Sequence, residues 1–172
     1  KHDYGFDNVG IVIQSYLRRS EADIAALVEE AAPVRLCKGA YQEPPDRAFL
    51  HKAEVDASYV KLSRMMLEGA AHAPPNGRKD GKLPPLPALA THDHHMIAAA
   101  REHAEKIQLP RDRFEFQMLY GIRRELQTQL AAQGYRMRVY VPYGTQWYPY
   151  FMRRLAERPA NLWFFLTALF RG

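Results

Sequence analysis

The chain has 172 residues, 47% of them hydrophobic, a length and composition that can bury one sizeable core and exclude a disordered polypeptide. Its formal charge of +5 is spread without any run of five like charges, so the basic stripe of a nucleic-acid binder is missing. The single cysteine, Cys37, cannot form an internal disulfide and reads as reducing-side and cytoplasmic, and no stretch approaches the roughly 20 apolar residues a spanning helix needs.

The chain opens on "KHDYGFDNVG", without an initiator Met, and is read as cut from something longer. Its first apolar run, "VGIVIQS" (9–15), has the length and β-branching of a strand buried on both faces. Ser20 is the expected N-cap of a helix whose stripe is Ile24, Leu27, Val28 and Ala31. A second strand, "VRLCKGA" (34–40), precedes a helix carrying Val55, Tyr59, Leu62 and Met66 on one stripe.

Residues 72–87 hold five prolines, two glycines and four charges with no periodicity, and are expected to form an exposed loop insertion. Beyond them come a weaker strand, "LPALATH" (86–92), and a helix striped by Met96, Ile97, Ala100, Ala104 and Ile107. "FEFQMLY" (114–120) and "MRVYVPY" (137–143) complete five strands, separated by a helix with Ile122, Leu126 and Leu130 before its C-terminal Gly134. Strand and helix alternate throughout, which predicts an α/β fold with a parallel sheet and right-handed crossovers. No glycine-rich dinucleotide signature follows any strand, so a barrel of βα units is favoured over a Rossmann half.

In such a barrel the site forms where strands end in their C-terminal loops. The polar residues to weigh are therefore Gln14, Arg35, Lys38, Thr91, His92, Asp93, Gln117, Tyr140, Arg153 and Arg154. Arg35 lies between Val34 and Leu36, and a charge inside an apolar strand is costly unless it is paired or used. Gln14 and Gln117, each taken alone, read as satisfying interior hydrogen bonds. Period two puts Glu115 on the face of Gln117 and Arg138 on that of Tyr140, which predicts a buried Glu115–Arg138 pair beneath the site. His92, His94 and His95 are poorly spaced for a metal, so no metal is expected.

Arg153 and Arg154 follow six aromatic residues within positions 140–151. Pro149 suits the first turn of a helix there, and a helix N-terminus with two guanidiniums is suited to an anion, a carboxylate above all. The apolar tail "NLWFFLTALF" (161–170) is expected to be a buried cap of the barrel, with a membrane-surface patch as the alternative.

The segments "RLCKGAY" (35–41), "ATHD" (90–93), "FEFQMLYG" (114–121) and "YVPYGTQWYPYFMRRLAERPAN" (140–161), in this order, resemble proline dehydrogenase of the small monofunctional bacterial type. The same domain occurs in the larger bifunctional proline-utilisation protein. The resemblance runs over nearly the whole chain and implies a distorted (βα)8 barrel, a TIM-like fold with FAD at the strand C-termini. The chain then corresponds to the C-terminal portion of that barrel, about strands 4 to 8, as a single domain over 1–172.

The implied reaction oxidises L-proline to Δ1-pyrroline-5-carboxylate, with hydride passing from proline C5 to flavin N5 and electrons onward to a quinone. Membrane contact, if made, would then be peripheral, at the inner face of the cytoplasmic membrane. By residue-by-residue likeness, Arg35 is the catalytic electrostatic partner of the flavin. Gln14 and Gln117 bond its ring, Lys38, Gly39 and Ala40 approach its phosphate or ribityl region, and Thr91 and His92 contact its outer portion. Arg153 and Arg154 match the pair that binds the proline carboxylate, and Tyr140, Leu119, Tyr41 and Tyr150 wall the substrate ring. The family's lysine and aspartate from early strands have no counterpart here, and Asp93 stands where some members carry Asn. Two alternatives remain: a non-catalytic portion of such a barrel with weak or no flavin binding, and a flavin-free barrel enzyme acting on a small carboxylate or phosphate ester.

Overall fold

The computed structural model describes residues 9–39, 43–73 and 87–145. The elements follow in the order β1 (Ile11–Gln14), α1 (Ser20–Glu29), β2 (Val34–Cys37), α2 (Lys52–His72), β3 (Pro87–Ala90), α3 (His94–Lys106), a 3-10 turn (Arg111–Arg113), β4 (Glu115–Leu119), α4 (Arg124–Ala132) and β5 (Arg136–Tyr140). The five strands form one sheet in sequential order, and every neighbouring pair is parallel. All five strand C-termini therefore lie along one edge of the sheet. The expected α/β alternation is present.

The register sorts side chains into two faces, because partners across a ladder point the same way and successive residues point oppositely. One row runs Ile13, Leu36, Leu89, Phe116 and Met137. It packs in a single cluster with Ile24 of α1, Tyr59, Leu62 and Met66 of α2, Ile97 and Ala100 of α3, and Leu130 of α4. Fully burying each larger apolar side chain contributes roughly 1.5–3 kcal/mol, so this layer between sheet and helices is the principal source of stability. The opposite face carries the row Val12, Arg35, Ala88, Glu115 and Arg136, and beside it Gln14 paired with Cys37 and Gln117 paired with Arg138.

The runs 9–15, 34–40, 114–120 and 137–143 were expected as strands buried on both faces, and the sheet's margins depart from this. Ile11 and Val12 of β1 are about half exposed, as are Tyr140 and Val141 at the end of β5. These are the outer strands among the described residues, and each has a neighbour on one side only.

Helix ends differ from expectation in several places, with Ile122 lying ahead of α4 and Ile107 standing at the C-cap of α3. Ser20 is not the N-cap of α1, a position held by Arg19 without a side-chain bond; the Ser20 hydroxyl instead donates to the Gln14 carbonyl at 2.6 Å and ties the helix start to the end of β1. Ala31 lies beyond α1 rather than on its stripe, with φ 49°. Its N–H bonds the Val28 carbonyl while Ala32 N–H bonds that of Leu27, the paired reversal that closes a helix C-terminus. The same pair of bonds closes α3 at Gln108 (φ 55°) and α4 at Gly134 (φ 83°). The expected loop insertion lies between the end of α2 at His72 and the start of β3 at Pro87, and 74–86 fall outside the described residues, as does the apolar tail.

Candidate functional site

Those of the residues singled out in the sequence that lie among the described residues gather at the C-terminal half of the sheet, with Arg35 one step deeper on the polar face, level with Glu115. Gln14 is the last residue of β1, Arg35 is the second of β2, and Lys38 and Gly39 follow β2 directly. Thr91, His92 and Asp93 link β3 to α3, while Gln117, Leu119 and Tyr140 lie late in β4 and β5. Ala40, Tyr41, Tyr150, Arg153 and Arg154 lie outside the described residues, as does Pro149.

A continuous chain of hydrogen bonds crosses the polar face. Arg35 Nε donates to Gln117 Oε1 at 2.7 Å, Gln117 Nε2 donates to Glu115 Oε1 at 2.6 Å, and Arg138 grips Glu115 through Nε (2.7 Å) and Nη2 (3.1 Å). Glu115 is only 2% exposed, so the two-pronged guanidinium is what makes its charge tolerable there. The bond to Glu115 holds the Arg138 proton more tightly than usual, against the opposing effect of burial. The expected Glu115–Arg138 pair is present. Its connection to Arg35 through Gln117 is an addition.

Lys38 forms a second cluster at the same edge. Its ammonium donates to Asp56 Oδ1 at 2.5 Å and to Asp93 Oδ2 at 2.7 Å, and Lys52 also donates to Asp56. Two of the three N–H directions of Lys38 are thereby used. Asp93 also caps α3 by accepting the His95 N–H at 3.0 Å. Burial alone would raise the Asp93 pKa, but the Lys38 bond and the His95 N–H outweigh it and hold the group at about 2. Asp56 follows the same balance and is likewise depressed.

His92 Nε2 accepts the Leu119 N–H at 2.9 Å, which requires a neutral ring with its proton on Nδ1. Burial, then Arg123, then Arg35 lower its pKa and keep it in that state. Arg123 Nη1 donates to the His92 carbonyl at 2.7 Å, so the loops after β3 and β4 are fastened together. His94 and His95 bring their rings to 3.9 Å at the start of α3. Among the described residues no group of three or more His, Cys, Asp or Glu side chains is placed to hold a metal ion.

Gln14 Oε1 is buried and accepts no hydrogen bond among the described residues. Gly39 packs beside it with φ 88°, and a Cβ on Gly39 would stand 2.7 Å from Gln14 Oε1 and collide with the ring of Tyr16. Glycine is required there both by conformation and by space. A cavity of about 610 Å³ runs along α2, lined by Val60, Lys61, Arg64, Met65, Glu68 and Met96; it reaches Asp56 of the Lys38 cluster, but none of the polar sheet-face residues lines it.

Sequence reasoning missed Asp56 and Arg123. Asp56 stands one position along α2 from Val55, turned about 100° away from that stripe, and its acid near a helix N-terminus was the available signal. Tyr59 read as core; it is fully buried, yet its hydroxyl finds no partner among the described residues, and burial drives its pKa far up.

The family model for proline dehydrogenase matches residues 1–165. The chain is 42% identical over 170 residues to the proline dehydrogenase of Deinococcus radiodurans and 43% identical over 166 residues to proline dehydrogenase 1 of Bacillus subtilis. These alignments cover 99% and 96% of the chain and 50% of each relative, so the chain spans about half the length of the curated relatives it matches. Among solved structures, proline utilization A of Bdellovibrio bacteriovorus, inactivated by N-propargylglycine, superposes with a TM-score of 0.66 at 36% identity, over 78% of this chain and 14% of that one. Similarity of sequence over nearly the whole chain, together with the parallel α/β sheet, has one reading: the chain belongs to the proline dehydrogenase family.

Proposed function

We propose that the chain supplies the flavin-facing and substrate-binding part of an FAD-dependent proline dehydrogenase, oxidising L-proline to Δ1-pyrroline-5-carboxylate and passing electrons to a quinone. On this reading the sheet is an arc of a (βα)8 barrel, about strands 4 to 8, within one domain that has a surface insertion between α2 and β3, narrower than the expected 72–87 because His72 ends α2 and Pro87 starts β3. The half-exposed apolar residues of β1 and β5 support the barrel, since such margins are suited to further strands.

The carrying observation is that Arg35 has a neutral amide, Gln117, as its hydrogen-bond partner and no carboxylate partner among the described residues, at an edge where Gln14 Oε1 is buried and unsatisfied. A buried acceptor with nothing donating to it is costly. The imide N–H of an isoalloxazine ring is a donor of the right kind, and the uncompensated guanidinium favours a ring that gains electrons. The residues thus fit FAD. When bound, FAD accepts the hydride that leaves proline.

The chain's own residues then bind, orient and exclude water. Gln14 and Gln117 hold the ring, while Gly39, with Ala40, lets the backbone come close to the ribityl or phosphate portion. Lys38 keeps one N–H direction for a phosphate while its two carboxylates fix its place. Thr91 and His92 border the outer portion of the cofactor; with His92 Nε2 engaged by Leu119, its Nδ1–H is the polar group that remains. Arg153 and Arg154 grip the proline carboxylate as planar forks, and Tyr41, Leu119, Tyr140 and Tyr150 enclose the pyrrolidine. Leu119 and Tyr140 are register partners on the polar face, as adjacent walls of one pocket require.

Replacing Arg154 with Met tests the substrate half of the proposal. Loss of one carboxylate ligand is expected to lower kcat/KM for proline by about 2–5 kcal/mol of transition-state stabilisation, more than tenfold. Unchanged turnover of dilute proline would contradict it.

A further inference from the structure

Glu115 and Arg138 lie one step behind the residues that meet the cofactor, and nothing in the reaction requires either of them directly. Their arrangement nonetheless determines what Arg35 presents. Glu115 and Arg35 share a cross-sheet row, both partners of Ala88, and among the described strand residues of the polar face Glu115 is the one acid that could neutralise Arg35. It does not do so. Both of its oxygens are held by Arg138, and the Gln117 amide stands between it and Arg35.

The amide has one orientation consistent with its neighbours. Its NH2 must face the carboxylate and its oxygen the guanidinium, since the reverse would set donor against donor and acceptor against acceptor. Glu115 thereby orients Gln117, and Gln117 orients Arg35 through Nε. Burial of Glu115 to 2% exposure and Gln117 to 7% keeps water from screening the arrangement.

We propose that Arg138 and Glu115 are positioning residues that set the electrostatic field at the flavin: Arg138 sequesters the Glu115 carboxylate, so that the positive charge of Arg35 reaches the cofactor uncompensated. This rests on the flavin-binding reading above. The bidentate pair is a neutral unit, and altering one member alone changes the net charge of the sheet face by one. Glu115→Gln leaves Arg138 unopposed and favours the reduced flavin. Arg138→Met leaves a bare carboxylate linked through Gln117 to Arg35 and favours the oxidised flavin.

The test is the midpoint potential of the bound flavin, measured by anaerobic dye equilibration in the flavin-loaded protein, with Arg35→Met as the calibrating variant. Glu115→Gln is expected to shift the oxidised-to-reduced equilibrium at least tenfold toward reduced, about 30 mV for a two-electron couple. Arg138→Met is expected to shift it as far in the other direction, the double variant to return close to the starting value, and Arg138→Lys to remain close to it. Arg138→Met is the variant at risk of misfolding; Glu115→Gln, of the same shape, and Arg138→Lys decide the matter without it. A potential unmoved by Glu115→Gln while Arg35→Met shifts it would overturn the proposal and leave flavin binding intact. Failure of the unaltered protein to retain flavin would instead overturn the reading on which the proposal rests.

Discussion

Lys38 Nζ donates to Asp93 Oδ2 at 2.7 Å and thereby joins the loop after β2 to the cap of α3, two segments that also flank the Gln14 amide and the His92 ring. The Asp93 carboxyl is held at about 2, below the roughly 3.9 of an unfolded aspartate. A depressed carboxylate stabilises the fold above its unfolded value, and that stabilisation is lost as pH falls through the folded value. Asp93→Asn keeps the cap and loses the ion pair, and is expected to cost about 1–2 kcal/mol at neutral pH. Chemical denaturation of both proteins should show the difference shrinking between about pH 4 and about pH 2. A difference constant across that range would exclude the ion pair as its source.

Gly39→Ala places a methyl group against Gln14 Oε1 and the Tyr16 ring at a left-handed φ of 88°. A loss of more than about 1 kcal/mol in stability is expected from the conformation alone, with weakened flavin retention because the collision is with Gln14. Thermal unfolding and flavin titration of the same variant measure the two effects. Wild-type behaviour in both would show that the loop after β2 adopts another conformation.

Gln108→Gly should act in the opposite direction. Gln108 is exposed and holds φ 55° at the end of α3, a conformation that glycine adopts without a Cβ penalty. A gain of about 0.5–1 kcal/mol in urea unfolding is expected, with no effect on cofactor binding.

These helix ends also show where the sequence was informative. Gly134 was legible because glycine at the end of a periodic stretch marks a left-handed residue, whereas Ala31 and Gln108 close their helices by the same bonds with residues that carry no such mark. The strands were legible from short apolar runs and the helices from their stripes, since one buried face per element dictates both periods. Glu115 and Arg138 were paired by period two on each strand, a local signal. The bond between Arg35 and Gln117, 82 residues apart, and those from Lys38 to Asp56 and Asp93, 18 and 55 residues away, depend on strand order and register. A helix periodicity specifies which face is buried; it does not specify which acid on the other face will meet a given lysine.

The account requires that one sheet edge, with Arg35, Gln117 and Gln14 at its centre, holds a flavin that proline can reduce. The most direct measurement is the visible absorption of the purified protein reconstituted with FAD, passed through gel filtration and then treated anaerobically with L-proline, alongside Gln14→Leu. The account predicts that flavin absorbance co-elutes with the protein, bleaches on addition of L-proline, and is weakly retained by the variant. Absence of retained flavin, or bound flavin that L-proline leaves oxidised, would contradict it.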